Sequence, residues 1–169
     1  MSNAHPSTVL TTASLRFRYL NAGDLVNLYR LYRDVRVMRY ITGRPRTFDE
    51  TSARLSRTLQ HYEEYGIGLY AVEDLRTGHF IGRCGLEPLK EDKGLSGELA
   101  WMFHPDVWGR GYGTESGQAL LALGQQNISI HRIVATADHR NASSIAIMKR
   151  IGLTWVVSDD RGVEYEWRR

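Results

Sequence analysis

The sequence contains a single cysteine, Cys84, so no intramolecular disulfide can form. That excludes a disulfide-stapled secreted module and implies a reducing, cytoplasmic setting. Cys84 lies in the strand-like run Phe80 to Leu86. Nothing beside it would activate a thiolate, so it reads as a buried structural thiol. No apolar run approaches the ~20 residues that cross a bilayer. The stretch Met1 to Thr8 has neither the charged nor the apolar region of a signal peptide. Charge of one sign is scarce as well: 22 basic against 19 acidic side chains leave a net +3. A dedicated nucleic-acid binder concentrates more basic charge than that, so neither nucleic acid nor membrane is an expected partner. Internal repeats, linkers and low-complexity tracts are also missing.

What is present suffices for one domain with a real core. The chain has 169 residues, 42% of them hydrophobic and 24% charged, which excludes a disordered chain. Residues 1–14 read as a flexible arm and 15–169 as the single domain. Leu15 to Leu20 alternates as a strand, and Asn21 to Asp24 breaks it and caps a helix. That helix carries Leu25, Leu28, Leu31, Tyr32, Val35 and Met38 at helical spacing. Thr47 and Glu50 have capping-box spacing for a second helix, which Gly66 and Gly68 end.

Three strands follow, over 69–74, 80–89 and 95–104. They are joined by tight turns at Arg76 to His79 and Lys90 to Gly94, so they pair antiparallel. Tyr112 to Gln126 is helical, Ile130 to Asp138 a strand, and Ala142 to Arg150 a helix capped by Gly152. A hairpin across Asp159 to Gly162 finishes the chain. The class is α+β: a mixed, mostly antiparallel sheet covered by helices, with no crossover helices in its middle.

Two constellations carry chemistry. The first is His104-Pro-Asp-Val-Trp-Gly-Arg-Gly-Tyr-Gly-Thr-Glu115. A strand closes at Pro105, glycines 109, 111 and 113 follow, and a helix begins. Glycine lets a ligand approach the main chain, a helix start offers free amides, and Arg110 adds charge. The chemical reading is a pyrophosphate cradle; the bland one is a tight turn. A nucleoside-triphosphate loop is excluded, because there is no Gly-x-x-x-x-Gly-Lys-Ser/Thr. A dinucleotide fingerprint fails because Ser116 stands three residues after Gly113. The second constellation is Asn141-Ala-Ser-Ser144 followed by Met148 to Leu153. Asn141 doubles as a helix N-cap.

Together the two constellations resemble the GNAT superfamily of N-acetyltransferases, most closely its Rim-type branch, which acetylates protein N-termini. Trp108-Gly-Arg-Gly-Tyr-Gly113 stands where the superfamily has Gln/Arg-x-x-Gly-x-Gly/Ala. The Rim-type branch has Trp-Gly-Lys/Arg-Gly-Tyr there. Asn141, Ser144, Lys149 and Gly152 match the second motif, with Leu153 in place of an aromatic. The likeness spans about residues 15–169.

It implies a seven-stranded sheet flanked by about four helices and splayed between its fourth and fifth strands. Acetyl-CoA would be the co-substrate, with no metal. Met102, Phe103 and His104 would offer their edge to the pantetheine arm. Arg110, Gly111, Tyr112, Gly113 and Thr114 would cradle the pyrophosphate, Lys149 would also bind the cofactor, and Asn141 would meet the arm from the far side. The partners implied are a small acyl donor and an amine acceptor such as a protein N-terminus, for a monomer or homodimer.

The implied reaction is direct attack of an amine on the thioester. It needs a base, an oxyanion site and an acid for the leaving thiolate. Glu98 is the first candidate base, sharing a strand face with Ala100 opposite Leu99 and Trp101; a solvated strand glutamate is the plain reading. Glu164 is the second, with His104 and His139 beside the site. The superfamily's tyrosine acid would fall at Met148, which cannot donate, so Ser144 takes that role. Tyr29, Tyr32, Arg33, Arg36 and Tyr40 are candidates for an acceptor groove. A non-catalytic acyl-CoA sensor is the alternative; it would keep the cradle and need no base.

Overall fold

The computed structural model describes residues 8–89 and 96–169. Eight strands form one sheet: β1 (Thr8–Thr11), β2 (Leu15–Tyr19), β3 (Leu69–Asp74), β4 (Phe80–Pro88), β5 (Ser96–Phe103), β6 (Arg132–Ala137), β7 (Thr154–Asp159) and β8 (Gly162–Arg168). Their order is β1-β2-β3-β4-β5-β6-β8-β7, with every neighbour antiparallel except β5 and β6. The helices are α1 (Leu25–Tyr32), α2 (Val35–Met38), α3 (Phe48–Tyr65), α4 (Tyr112–Gln126) and α5 (Ala142–Arg150). This is the expected α+β architecture with one strand more than the seven anticipated.

The extra strand is β1, inside the arm expected over 1–14. It pairs with β2, and the turn between them is fastened to α4. Glu115 accepts hydrogen bonds from Thr12 Oγ1 at 2.6 Å and from Ser14 N–H at 2.8 Å. That long-range latch has no local signal. The turn expected over Lys90 to Gly94 lies outside the described residues.

Local chemistry explains most element ends. Thr47 and Glu50 form the reciprocal capping box of α3, and Gly66 ends that helix in the left-handed region. The periodic run from Leu25 to Met38 is not one helix. Asp34 interrupts it, its carboxylate accepting the Arg36 N–H at 2.9 Å, and so starts α2. Asp34 competes as an N-cap, which periodicity alone does not reveal.

Alternation along the strands gives the sheet two apolar faces. On one, Leu69, Ala71 and Met102 pack against Leu28, Leu31, Tyr32, Met38 and Leu55 of α1–α3. On the other, Val72, Cys84, Leu86, Leu99 and Phe103 pack with Leu120, Leu121 and Met148 of α4 and α5. Cys84 is fully buried there, and desolvation pushes its thiol up to about 12. Tyr62 bridges layers: its hydroxyl donates to Leu69 O and accepts from Leu20 N–H.

The sheet opens beside β5. Parallel pairing with β6 covers only Ser96–Glu98 against Arg132–Val134, and beyond it the strands part. On its other side β5 is held by β4 along its length. Gly85 of β4 sits so close to β3 that any Cβ would overlap Gly68 O. A backbone atom cannot step aside as a side chain can. Gly85→Ala is therefore expected to cost about 3 kcal/mol and lower the thermal midpoint by roughly 10 °C. A calorimetric melt within a degree or two of wild type would contradict that reading of the β3–β4 contact.

Candidate functional site

A cavity of about 1480 Å³ occupies the opening between β5 and β6. Leu99–Phe103, Gly111–Thr114, Thr136–Asp138 and parts of α1, α2 and α5 line it. Ligand pockets usually measure ~300–1,000 Å³, so there is room for two reactants side by side.

The glycine turn sets one wall. Gly109 and Gly111 adopt φ of 77° and 83°, in the left-handed region where a side chain is strained. A Cβ on Gly111 would meet no other atom within 4 Å, so the space before it is open. Gly111 is the N-cap of α4 and supplies no side-chain cap bond. The first helical bond runs from Glu115 N–H to Gly111 O, which leaves the amides of Tyr112, Gly113 and Thr114 without helical acceptors. Free amides at the positive end of a helix fit a pyrophosphate group. Gly113 is there for a different reason: a Cβ would strike Ile147 of α5, so it serves helix packing. Tyr112 donates its hydroxyl to Asp74 at 3.1 Å and so pins the helix start to the end of β3.

Several expected contributors are rearranged. His104 N–H bonds Ile81 O at 2.9 Å, so its backbone faces β4. Alternation turns Met102 the same way, leaving Leu99, Trp101 and Phe103 to present backbone to the gap. The edge expected from Met102, Phe103 and His104 is thus shifted, although Met102 and Phe103 line the cavity. The Phe103 carbonyl is already taken, accepting Trp108 Nε1–H at 2.9 Å. His104 itself packs against Phe80 outside the lining, and burial lowers its pKa.

Arg110 is exposed and bonds Asp106 O, also away from the cavity. Lys149 is not in the lining, whereas Arg150 is. Ser143, Ala146, Ile147 and Arg150 recur at helical spacing on the cavity face, and Lys149 falls off that face.

Asn141 both caps α5 and lines the cavity. Its Oδ1 accepts from Ser144 N–H at 3.3 Å and from Ser143 Oγ at 3.0 Å. Ser144 is buried at the cavity wall.

Three carboxylates compare unequally as bases. Glu98 lines the cavity and accepts the Thr136 hydroxyl at 2.6 Å. Among the described residues it has no ion pair. Glu164 lies outside the lining, bound to Arg132 at 2.7 Å. Glu87, across from Glu98 on β4, was not anticipated. Burial raises its pKa, but Arg54 and Arg83 outweigh that and hold it below the usual carboxylate range. It is ion-paired to Arg54. His139 gives its Nε2 to a contact with Asp159 O and is also outside.

Of the expected acceptor-groove residues, Tyr32, Arg36 and Tyr40 reach the cavity, whereas Tyr29 and Arg33 do not. Trp108, from the expected loop, lines it too, and Arg83, Glu87 and Thr136 are additions. The available signal for Arg83 and Glu87 was a pair of charges on one face of an otherwise apolar strand.

A family model described as an acetyltransferase (GNAT) domain matches residues 14–154. The uncharacterized protein YkkB of Bacillus subtilis is 31% identical over 86% of this chain and 85% of its own length. Among solved structures, an acetyltransferase from Agrobacterium tumefaciens covers 100% of this chain and 99% of its own, with a TM-score of 0.83 at 24% identity. The ribosomal alpha-N-protein acetyltransferase RimL, solved in complex with coenzyme A, covers 95% of this chain and 97% of its own, with a TM-score of 0.81 at 14% identity.

Proposed function

The chain belongs to the GNAT acetyltransferase family, and from that premise we propose that it transfers acetyl from acetyl-CoA to an α-amine, such as a peptide N-terminus. The observation that carries the acceptor choice is the state of Glu98, a carboxylate at the cavity wall that accepts the Thr136 hydroxyl and has no ion pair among the described residues. An α-amine has a pKa near ~7.8 and a lysine near ~10.4. Freeing the amine at pH 7 costs about 1 kcal/mol for the first and about 4.6 for the second. A single carboxylate serves the first task far better. The fold shared with RimL, an alpha-N-protein acetyltransferase, supports the same direction.

In this reading the amides of Tyr112, Gly113 and Thr114 hold the pyrophosphate, and Arg150 adds charge. The pantetheine arm lies along Leu99 and Trp101, pairing with backbone that β6 leaves free. Glu98 takes a proton from the acceptor amine, directly or through one water. The nitrogen then bonds the acetyl carbon and the carbon–sulfur bond breaks. Ser144 stands near the departing sulfur and relays to it the second proton, which the nitrogen sheds once the new carbon–nitrogen bond has formed, so the products are an amide and coenzyme A thiol. A hydroxyl is a weak acid, while a thiolate with a pKa near ~8.5 tolerates leaving with little help.

Ser144→Ala is therefore expected to lower kcat by no more than about tenfold, well short of the 10²–10⁴ typical of an essential acid–base group. Its acetyl-CoA affinity should match wild type. Wild-type kcat in steady-state assays would remove Ser144 from proton transfer.

An acceptor panel read by thiol release tests the function itself. Peptides with free N-termini should outpace N-blocked peptides bearing lysine, and polyamines. Equal or greater rates on lysine would overturn the α-amine assignment.

A further inference from the structure

Arg83 is a buried charge whose acidic neighbour Glu87 acts on it only through space and is itself ion-paired to Arg54. It occupies the middle of β4, between Ala71 of β3 and Met102 of β5, and is 6% exposed. Its Nε donates to Tyr32 Oη at 3.2 Å, and Nη1 is buried with no hydrogen-bond partner. Among the described residues no carboxylate comes within ion-pairing distance. Three other arginines of the cavity wall have carboxylate partners: Arg36 pairs with Asp34, Arg54 with Glu87 and Arg161 with Asp159. A second cation deepens the imbalance, because the Arg83 and Arg46 guanidinium groups each lie 5.8 Å from the Tyr32 ring centroid. A buried guanidinium is tolerated when an anion completes its hydrogen bonds.

The cavity is where such an anion would come from. Arg83 lines it, as do Glu87 and Glu98. Alternation and register put Arg83, Gly85 and Glu87 on the same sheet face as Met102, Ala100 and Glu98. That face runs from an acidic end, at Glu98, to a basic end at Arg83. The Cα atoms of Arg83 and Glu87 are roughly 13 Å apart along the strand at ~3.4 Å per residue. The phosphate cradle is elsewhere: α4 packs on the opposite face, and β5 itself stands between Arg83 and the gap beside β6.

We propose that Arg83 reads an anionic group on the acceptor, so that the substrate is an α-amine with a carboxylate a few bonds away. The planar fork of a guanidinium matches a carboxylate edge-on, which a lysine cannot reproduce. The same chemistry is offered by a peptide beginning with aspartate or glutamate and by a free acidic amino acid. The inference rests on the α-amine reading above and narrows it.

Matched acceptors test it: a tripeptide beginning with aspartate against one beginning with asparagine, and free aspartate against free asparagine. Wild-type kcat/KM should favour the carboxylate member by tenfold or more, mainly through KM. Arg83→Gln should erase that margin and Arg83→Lys should restore part of it, with KM for acetyl-CoA unmoved in both. The better of peptide and free amino acid names the source. Equal wild-type rates within each pair, or a margin that survives Arg83→Gln, would overturn the proposal.

Calorimetric titration of the aspartate-first tripeptide and of free aspartate into coenzyme-A-saturated protein separates this from the catalytic reading. Weaker binding of whichever of the two binds, by tenfold in Arg83→Lys, supports the role of Arg83 even where no acetyl is transferred. Unchanged affinity overturns it. If glutamine at this position prevents folding, the lysine variant still decides.

Discussion

Gly111→Val is expected to bring acetyl-CoA binding below detection, a loss of at least a hundredfold in affinity by calorimetry. Two effects act together. Gly111 holds φ of 83°, a conformation that costs an ordinary L-residue about 1–2 kcal/mol and is worse for a β-branched one. Relaxing that strain rotates the start of α4 and scatters the amides of Tyr112, Gly113 and Thr114. The new methyl groups also project into open space at the cavity wall. Gly111→Asn separates the two effects. Asparagine tolerates the left-handed region, so the fold and the helix start should persist while the side chain still obstructs the ligand. The asparagine variant should melt within a few degrees of wild type, because nothing packs against this position, and the valine variant lower by the cost of its strain. Undiminished binding by the valine variant would place the pyrophosphate somewhere else.

Glu98→Gln should retain acetyl-CoA and lose turnover, with kcat/KM for an α-amine falling about 10²–10⁴-fold at pH 7. Glutamine keeps the shape and still accepts the Thr136 hydroxyl, so the change isolates proton removal from packing. The pH dependence carries the diagnosis. Wild type can use an amine that arrives protonated, because the carboxylate takes the proton within the site. The variant must wait for free amine, so its rate should climb through the amine's own pKa near ~7.8, and the deficit should narrow toward pH 9. A deficit independent of pH would point to binding geometry instead of base catalysis. Glu87→Gln and Glu164→Gln provide the comparison. Both carboxylates are tied to arginine, so neither substitution should reproduce this pH signature.

Period and capping made most of the fold legible. Thr47 with Glu50, Gly66 after α3 and Gly152 after α5 act over a few residues, and the helices Tyr112–Gln126 and Ala142–Arg150 follow from local pattern alone. Strand β1 did not follow, because its partner and its latch to Glu115 are remote in sequence.

The site divides in the same way. Gly111 and Asn141 announce themselves through backbone demands at helix starts. Which carboxylate lacks an ion pair among the described residues is a tertiary matter: Glu98, Glu87 and Glu164 look alike in sequence, and only the placement of Arg54 and Arg132 distinguishes them. Arg150 lines the cavity and Lys149 does not, for a helical-face reason that was available in the spacing. His104 turns away because of a single backbone bond to Ile81, which no motif encodes.

The most direct test of the central claim is to mix the protein with acetyl-CoA and a free-N-terminus peptide, then follow thiol release and the mass of the peptide together. One acetyl group should appear on the α-amine for each thiol released, in wild type and not in Glu98→Gln at pH 7. Thiol release without peptide acetylation, or acetyl found on a lysine side chain, would contradict the account.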